Sequence, residues 1–171
     1  VVDVAAGRIA NTGGTLSAGS LLRIAANRLG GDGGLLSAGD IEVSLQEDYH
    51  HTGQFQADGS ARLETAGTVA NESVLAAGAA LRVKAGGLDN RETGRLASGH
   101  LQIELAGPGT LSNRGLIDGV SVDVEATTVR NVGTGRLYGD RLAILARDLV
   151  NEAESGVAPV IAARERLDRL R

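Results

Sequence analysis

The sequence has no cysteine, methionine or tryptophan, and only one phenylalanine and two tyrosines in 171 residues. Without cysteine there is no disulfide scaffold, no thiolate metal site and no cysteine nucleophile. The redox compartment stays open, because secreted chains can lack cysteine too. With so few aromatics, any core has to be built from Leu, Ile, Val and Ala. Proline is scarce, with 2 residues, whereas glycine reaches 25, roughly twice the usual share of about 7 %. High Gly with little Pro excludes collagen and a Pro-rich disordered tract. No run of about 18 apolar residues is present, so no membrane insertion is expected. No basic-then-apolar leader or initiator Met opens the chain, which reads as an internal piece of something longer. The net charge of −4 argues against a nucleic-acid partner.

What is present is aliphatic and periodic. Hydrophobic residues make up 42 %, enough to favour a packed core over disorder. A glycine series recurs at Gly19, Gly39, Gly59, Gly78, Gly99, Gly119 and Gly139, with spacings of 20, 20, 19, 21, 20 and 20. Three apolar series keep step with it. One is a pair split by a single residue, as in Leu22/Ile24, Leu81/Val83, Leu101/Ile103 and Val122/Val124. A second runs Ile9, Leu29, Tyr49, Val69, Leu88, Leu111, Val129, Leu149. A third precedes the glycine: Leu16, Leu36, Phe55, Leu75, Leu96, Leu116, Leu137. A polar series follows the second: Asn11, Gly31, His51, Asn71, Asn90, Asn113, Asn131, Asn151.

Alternation such as Leu81-Arg82-Val83-Lys84 has period two and means strand. Each unit carries three short apolar stretches parted by Gly, Asn, Asp and Ser, the residues of sharp turns. A hairpin meander gives no reason for every unit to keep one length. A leucine-rich horseshoe needs a helical return segment, and no helical period is visible. A coil that turns three corners every 20 or so residues satisfies all of it. The expected fold is therefore all-β: a parallel β-helix of about eight rungs over residues 1–151, like side chains stacking on like about 4.8 Å apart. Residues 152–171 read as a longer loop followed by a ninth rung, with Ile161 in the Leu96-type position. A short helix opened by Pro159 is the other option.

In this reading Asn11, Asn71, Asn90, Asn113, Asn131 and Asn151 form a structural ladder, tolerating left-handed backbone and donating amides up the column. Gly31 and His51 interrupt it, so the second and third rungs should be irregular. The seven glycines of the series are turn residues. Glu42 beside Arg62, and Glu64–Lys84–Glu104, are expected as exposed opposite-charge neighbours across rungs. Leu145 faces outward and marks a patch to be covered.

Signals of chemistry are weak. His50 and His51 are neighbours, point to opposite faces if extended, and read as loop histidines rather than a metal pair. His100 stands alone. The run Gly30-Gly-Asp-Gly-Gly34 matches one unit of a calcium-binding roll that needs repetition, so it reads as a tight turn. Gly107-Pro-Gly109 and Gly133-Thr-Gly135 precede no helix and read as corners. Asn71-Glu-Ser73 is a glycosylation pattern at a ladder position. Glu42, Glu64, Glu104, Asp123 and Glu125 share one outward face, the only enzymatic option. With no cleft-forming insertion around them, no enzymatic activity, metal or cofactor is expected.

The units Leu16-Ser-Ala-Gly19, Leu36-Ser-Ala-Gly39, Leu75-Ala-Ala-Gly78 and Leu96-Ala-Ser-Gly99, each followed by a two-apolar strand and then L-x-N, resemble the haemagglutinin repeats of the filamentous haemagglutinin family. Gly87-Leu-Asp-Asn90 and Ile161-Ala-Ala-Arg-Glu-Arg-Leu-Asp168 extend the likeness over essentially the whole chain. The resemblance implies a long right-handed β-helical shaft. It implies export through an outer-membrane two-partner secretion transporter, and a secreted or cell-surface adhesin that meets host glycans or receptors. Stalks of contact-dependent growth inhibition toxins share the repeats. No catalytic residue carries over, and sulfated-glycan binding fits poorly with an acidic segment. A rung with an open edge is expected to associate end to end.

Overall fold

The computed structural model describes the backbone of residues 1–170 and the side chains of residues 1–165. Fourteen strands follow one another: β1 (Val2–Ala10), β2 (Thr15–Gly30), β3 (Leu35–Leu45), β4 (Tyr49–His51), β5 (Gln54–Ala57), β6 (Ser60–Thr65), β7 (Thr68–Asn71), β8 (Val74–Ala85), β9 (Gly87–Asn90), β10 (Arg95–Leu105), β11 (Thr110–Asn113), β12 (Leu116–Val132), β13 (Arg136–Glu152) and β14 (Val160–Leu170). No helix occurs among the described residues. All named strands join one parallel sheet that winds into a β-solenoid of about eight turns of about 20 residues.

Each turn lays down three faces. On the first, Leu22, Ile41, Ala61, Leu81, Leu101, Val122 and Leu142 stack in register, with Ile24, Val43, Leu63, Val83, Ile103, Val124 and Ile144 two residues on. The second face carries the Val69, Leu88, Leu111, Val129 and Leu149 column, with Tyr49 beside Val69. The third carries Leu16, Leu36, Phe55, Leu75, Leu96, Ile117 and Leu137. Most of these side chains are fully buried. Burying one Leu, Ile or Val contributes about 1.5–3 kcal/mol, so the tube is held by repetition of modest terms.

The register corrects the sequence reading at one rung. Ile117 occupies the third-face column, with no exposed surface, and Leu116 lies one step outside it. The 21-residue step from Leu96 to Ile117 is kept across the corner, so Gly119 pairs with Ser98 and not with Gly99. Inward of that corner, Ala18, Ala38, Ala57, Ala77, Ser98, Gly119, Gly139 and Ala163 form a column of small residues. Two chain directions converge there and leave no room for more.

The glycine series is not made of turn glycines in the dihedral sense. None of the seven adopts left-handed backbone, and Gly19, Gly39, Gly78, Gly99, Gly119 and Gly139 lie inside strands that bend at the corner. Close stacking explains most of them. A Cβ on Gly39, Gly99 or Gly119 would sit 2.7, 3.0 or 2.8 Å from the carbonyl oxygen of Ser20, Ala79 or Ser98 in the preceding rung. Gly19 is the exception, with nothing within 4 Å. Left-handed backbone occurs elsewhere, at Gly13, Gly33, Gly107 and Gly133 in the loops, where glycine carries no steric penalty.

A second glycine column escaped the sequence reading: Gly14, Gly34, Gly53, Gly94, Gly115 and Gly135, each just before a third-face strand. The carbonyls of Gly14, Gly34, Gly94, Gly115 and Gly135 receive the backbone N–H of the next rung, as in Leu116 N to Gly94 O at 2.9 Å. A Cβ at Gly53, Gly94, Gly115 or Gly135 would overlap backbone oxygen of the rung before. Their spacing of two to four residues after each ladder position was the available signal.

The tail is a rung. β14 runs parallel to β13 with Ile161 beside Leu137, and the backbone stays extended after Pro159. Residues 152–159 leave the tube as a small excursion closed by an antiparallel bridge from Glu154 to Val157. Ser155 and Gly156 have φ of 50° and 78°, the two positive values of a tight hairpin turn. The side chains of residues 166–170, and the whole of Arg171, lie outside the described residues.

Gly115→Ala forces its Cβ into Gly94 O and Arg91 O, and should destabilise by about 1–3 kcal/mol. Gly19→Ala meets open space and should be neutral or stabilise by about 0.4–1 kcal/mol. Urea unfolding of the two variants beside the parent checks this; equal effects would contradict the stacking account.

Candidate functional site

The interior polar column is the best-built feature of the molecule. Asn71, Asn90, Asn113 and Asn131 have no exposed surface. Each Nδ2 donates to the Oδ1 above it: Asn71 to Asn90 at 2.8 Å, Asn90 to Asn113 at 2.7 Å, Asn113 to Asn131 at 2.8 Å and Asn131 to Asn151 at 2.9 Å. The remaining amide hydrogen turns to backbone. Asn113 reaches Arg136 O at 3.2 Å, and Asn131 reaches Val160 O at 3.0 Å. Buried amides are costly unless bonded, and here each finds partners within and between rungs. The ladder residues do not use left-handed backbone; Ser155 is the only non-glycine residue with positive φ among those described. Asn is required for its amide.

Below Asn71 the ladder stops. His51 is not a loop residue: it ends β4 and is 3 % exposed. Its Nε2 lies 2.9 Å from Val74 O, the carbonyl equivalent to those the asparagines contact. Its Nδ1 lies 3.0 Å from the Tyr49 hydroxyl. Because a carbonyl can only accept, Nε2 carries the proton and Nδ1 accepts from Tyr49. Phe55 meets the imidazole edge-on at a centroid distance of 6.4 Å. Three of the chain's few rings thus share one rung, and Gly31, one rung below His51, contributes no side chain to the column. Asn11 stands apart beyond Gly31, donating to Leu35 O at 3.3 Å. Asn71, the residue of the glycosylation pattern, is committed to the ladder.

The outward charges pair differently from the expected neighbours. Arg23 takes both Asp3 and Glu42, at 3.0 and 2.8 Å. Arg62 reaches along its own strand to Glu64 at 2.5 Å. Glu42–Arg62 and Glu64–Lys84 therefore do not form, because each acid or base has a better-placed partner. Lys84–Glu104 does form, at 3.7 Å, under a closer Arg82–Glu104 contact of 2.7 Å. The Arg82 hydrogen bond, with the Lys84 charge, holds the Glu104 carboxyl below the usual carboxylate range. Glu125 is its neighbour on the next rung. A shallow groove of about 630 Å³ beside them includes Gly107, Thr127, Leu145 and Arg147.

On the second face, His50 and Arg91 converge on Glu72, and Arg91 also holds Asp89 at 3.1 Å. These contacts, led by His50, keep the Glu72 carboxyl low. Arg114 grips Glu154 through two bonds of 2.7 and 2.9 Å, pinning the excursion and lowering that carboxyl. His100 is half-exposed, 3.8 Å from Asp123. Asp32, in the glycine-rich turn, accepts from Thr52 Oγ1 at 3.3 Å. No group of three or more His, Asp or Glu is placed to hold a metal ion among the described residues. No helix there is long and apolar enough to cross a membrane.

A parallel β-solenoid with a buried amide ladder and a charge-paired surface is the class that fold and geometry define. No family model, curated protein or solved structure matches the chain.

Asn113→Ala strands the Asn131 Oδ1 and Arg136 O acceptors in the interior, and should cost about 2–4 kcal/mol. Asn151→Ala, at the exposed upper end, should cost less than about 1 kcal/mol. Thermal midpoints of the two variants would reveal the difference, and similar losses would speak against a cooperative ladder.

Proposed function

We propose that this chain is a shaft segment of a secreted bacterial surface adhesin, a rod whose task is to hold binding regions away from the cell. The observation that carries the reading is the stack of like side chains. Three aliphatic columns run from rung to rung, and the described surface holds ion pairs and shallow grooves. Eight rungs at the strand spacing give a length on the order of 35–40 Å, and a longer parent extends it in proportion. In this reading the parent passes an outer-membrane two-partner secretion transporter, and host glycans or receptors bind through other parts of it. The stalk of a contact-dependent inhibition toxin is the nearest alternative and uses the same rod.

The polysaccharide-active alternative has less support. Glycoside cleavage needs one carboxyl kept protonated as general acid. Glu104, the better enclosed of the adjacent Glu104–Glu125 pair, is biased the other way by Arg82 and Lys84.

Antibodies against the segment should label intact source bacteria, and an in-frame deletion of residues 35–113 should reduce attachment to host cells while killing of neighbouring bacteria is unchanged. Lost killing with intact attachment would favour the toxin stalk, and absence from the surface would sink both. Produced alone, the segment presents β1 and β14, each paired on one side only, and should form end-to-end oligomers. Light scattering showing a strict monomer at high concentration would count against that.

A further inference from the structure

Of the two rungs that interrupt the ladder, the third carries a buried titratable base, His51. We propose that His51 makes the third rung an acid-sensitive joint, which opens locally when the imidazole takes a second proton while the rungs above Asn90 stay closed.

The geometry states why. In the neutral ring, Nε2–H donates to Val74 O and Nδ1 accepts from the Tyr49 hydroxyl, so both nitrogens are satisfied. A second proton turns Nδ1 into a donor aimed at a hydroxyl that was itself donating. Tyr49 is 5 % exposed and Phe55 has no exposed surface. The hydroxyl must rotate and leave its own hydrogen without a partner, and the new cation sits against Phe55. A buried, unpaired charge of this kind is strongly disfavoured. An asparagine, as at the five ladder positions above, has no such alternative state.

No carboxylate is placed to compensate among the described residues. On β4 itself, His50 faces outward to Glu72, which Arg91 also engages. From β2 and its following turn come Arg28 and Asp32, both exposed, and Asp32 is taken by Thr52. β5 offers Phe55 and Gln54, β7 offers Asn71, and β8 offers the Val74 carbonyl. Burial accordingly lowers the affinity of His51 for a proton, with His50 adding to it and the Val74 contact opposing it. With the folded value depressed, stability is complete above the ordinary imidazole value of about 6.5. It falls as pH drops from there through the folded value, because the open state binds the proton first. Glu72 is held low for a separate reason, its contacts with His50 and Arg91.

The rung is also weakly reinforced, since β4 pairs with β7 alone. β4 has three residues and β5 four, the ladder bond to the rung below is absent, and Gly31 leaves the column without a side chain there. Local opening falls where packing and cross-rung bonds are fewest.

Native-state hydrogen exchange at pH 7 and pH 5, corrected for intrinsic rates, tests the proposal on the intact 171-residue chain. Protection of the amides of residues 49–57 should fall by more than twofold, with a ceiling of about 25-fold set by the unfolded imidazole. Amides of residues 101–124 should change less than twofold. The His51 imidazole, followed by NMR, should titrate below 6.5. A uniform loss along the rod, or His51 titrating at or above 6.5, overturns the proposal. His51→Asn should abolish the local pH effect, and His50→Gln should leave it in place. A folded His51→Asn protein that keeps the effect also overturns it. If that variant does not fold, the parent's exchange pattern and titration decide alone.

Discussion

The controlling constraint is the distance between parallel neighbours. Every turn must return to within about 4.8 Å of the one before, at every point of its path. That spacing is set by backbone hydrogen bonds and leaves side chains no choice of neighbour. Leu81 lies between Ala61 and Leu101, and Ile103 between Val83 and Val124. A ring has to fit between the side chains above and below it, as Phe55 does between Leu36 and Leu75, and Tyr49 and His51 share its rung. The shortage of aromatics follows from the stack itself.

The same spacing governs the corners, with the opposite demand. Where the chain bends, two successive rungs approach backbone to backbone, and a single Cβ is too much. Gly39, Gly99 and Gly119 at one corner and Gly94, Gly115 and Gly135 at another meet carbonyl oxygens of the preceding turn. Between these corners the asparagine amides connect turn to turn through hydrogen bonds that only an in-register column can complete. Aliphatic columns supply most of the favourable burial. The amides add specificity, because a rung displaced by one residue would bury unpaired donors and acceptors.

Much of the surface of this solenoid is paired charge. Its charged residues are spent on one another at the surface, where exposed pairs are individually worth about 0–1 kcal/mol and serve mainly to keep a strand-rich rod soluble. The departures from the repeat are few, and they mark where a role beyond length can reside: the histidine rung, the excursion at 152–159 pinned by Arg114 and Glu154, and the outward Leu145.

The period of the repeat was legible from the sequence, because like-on-like stacking writes it directly into the residues. The columns built on Leu22 and Ile24 could be read there, and so could the asparagine ladder, although by sequence Asn11 counts as a sixth member and the structure sets it apart from the other five. What the sequence could not decide were choices between close competitors. Leu116 and Ile117 are equally apolar neighbours, and only the register with Leu96 and Leu137 puts Ile117 inside. Arg62 could have reached Glu42 or Glu64, and side-chain direction settled that. The role of the glycines needed the distance between rungs, since a bend and a close approach look alike in one dimension. His51 read as a loop residue because its polarity argued for solvent. Its burial followed only when the third turn closed and placed it under Asn71, where Tyr49 and Val74 could satisfy both of its nitrogens.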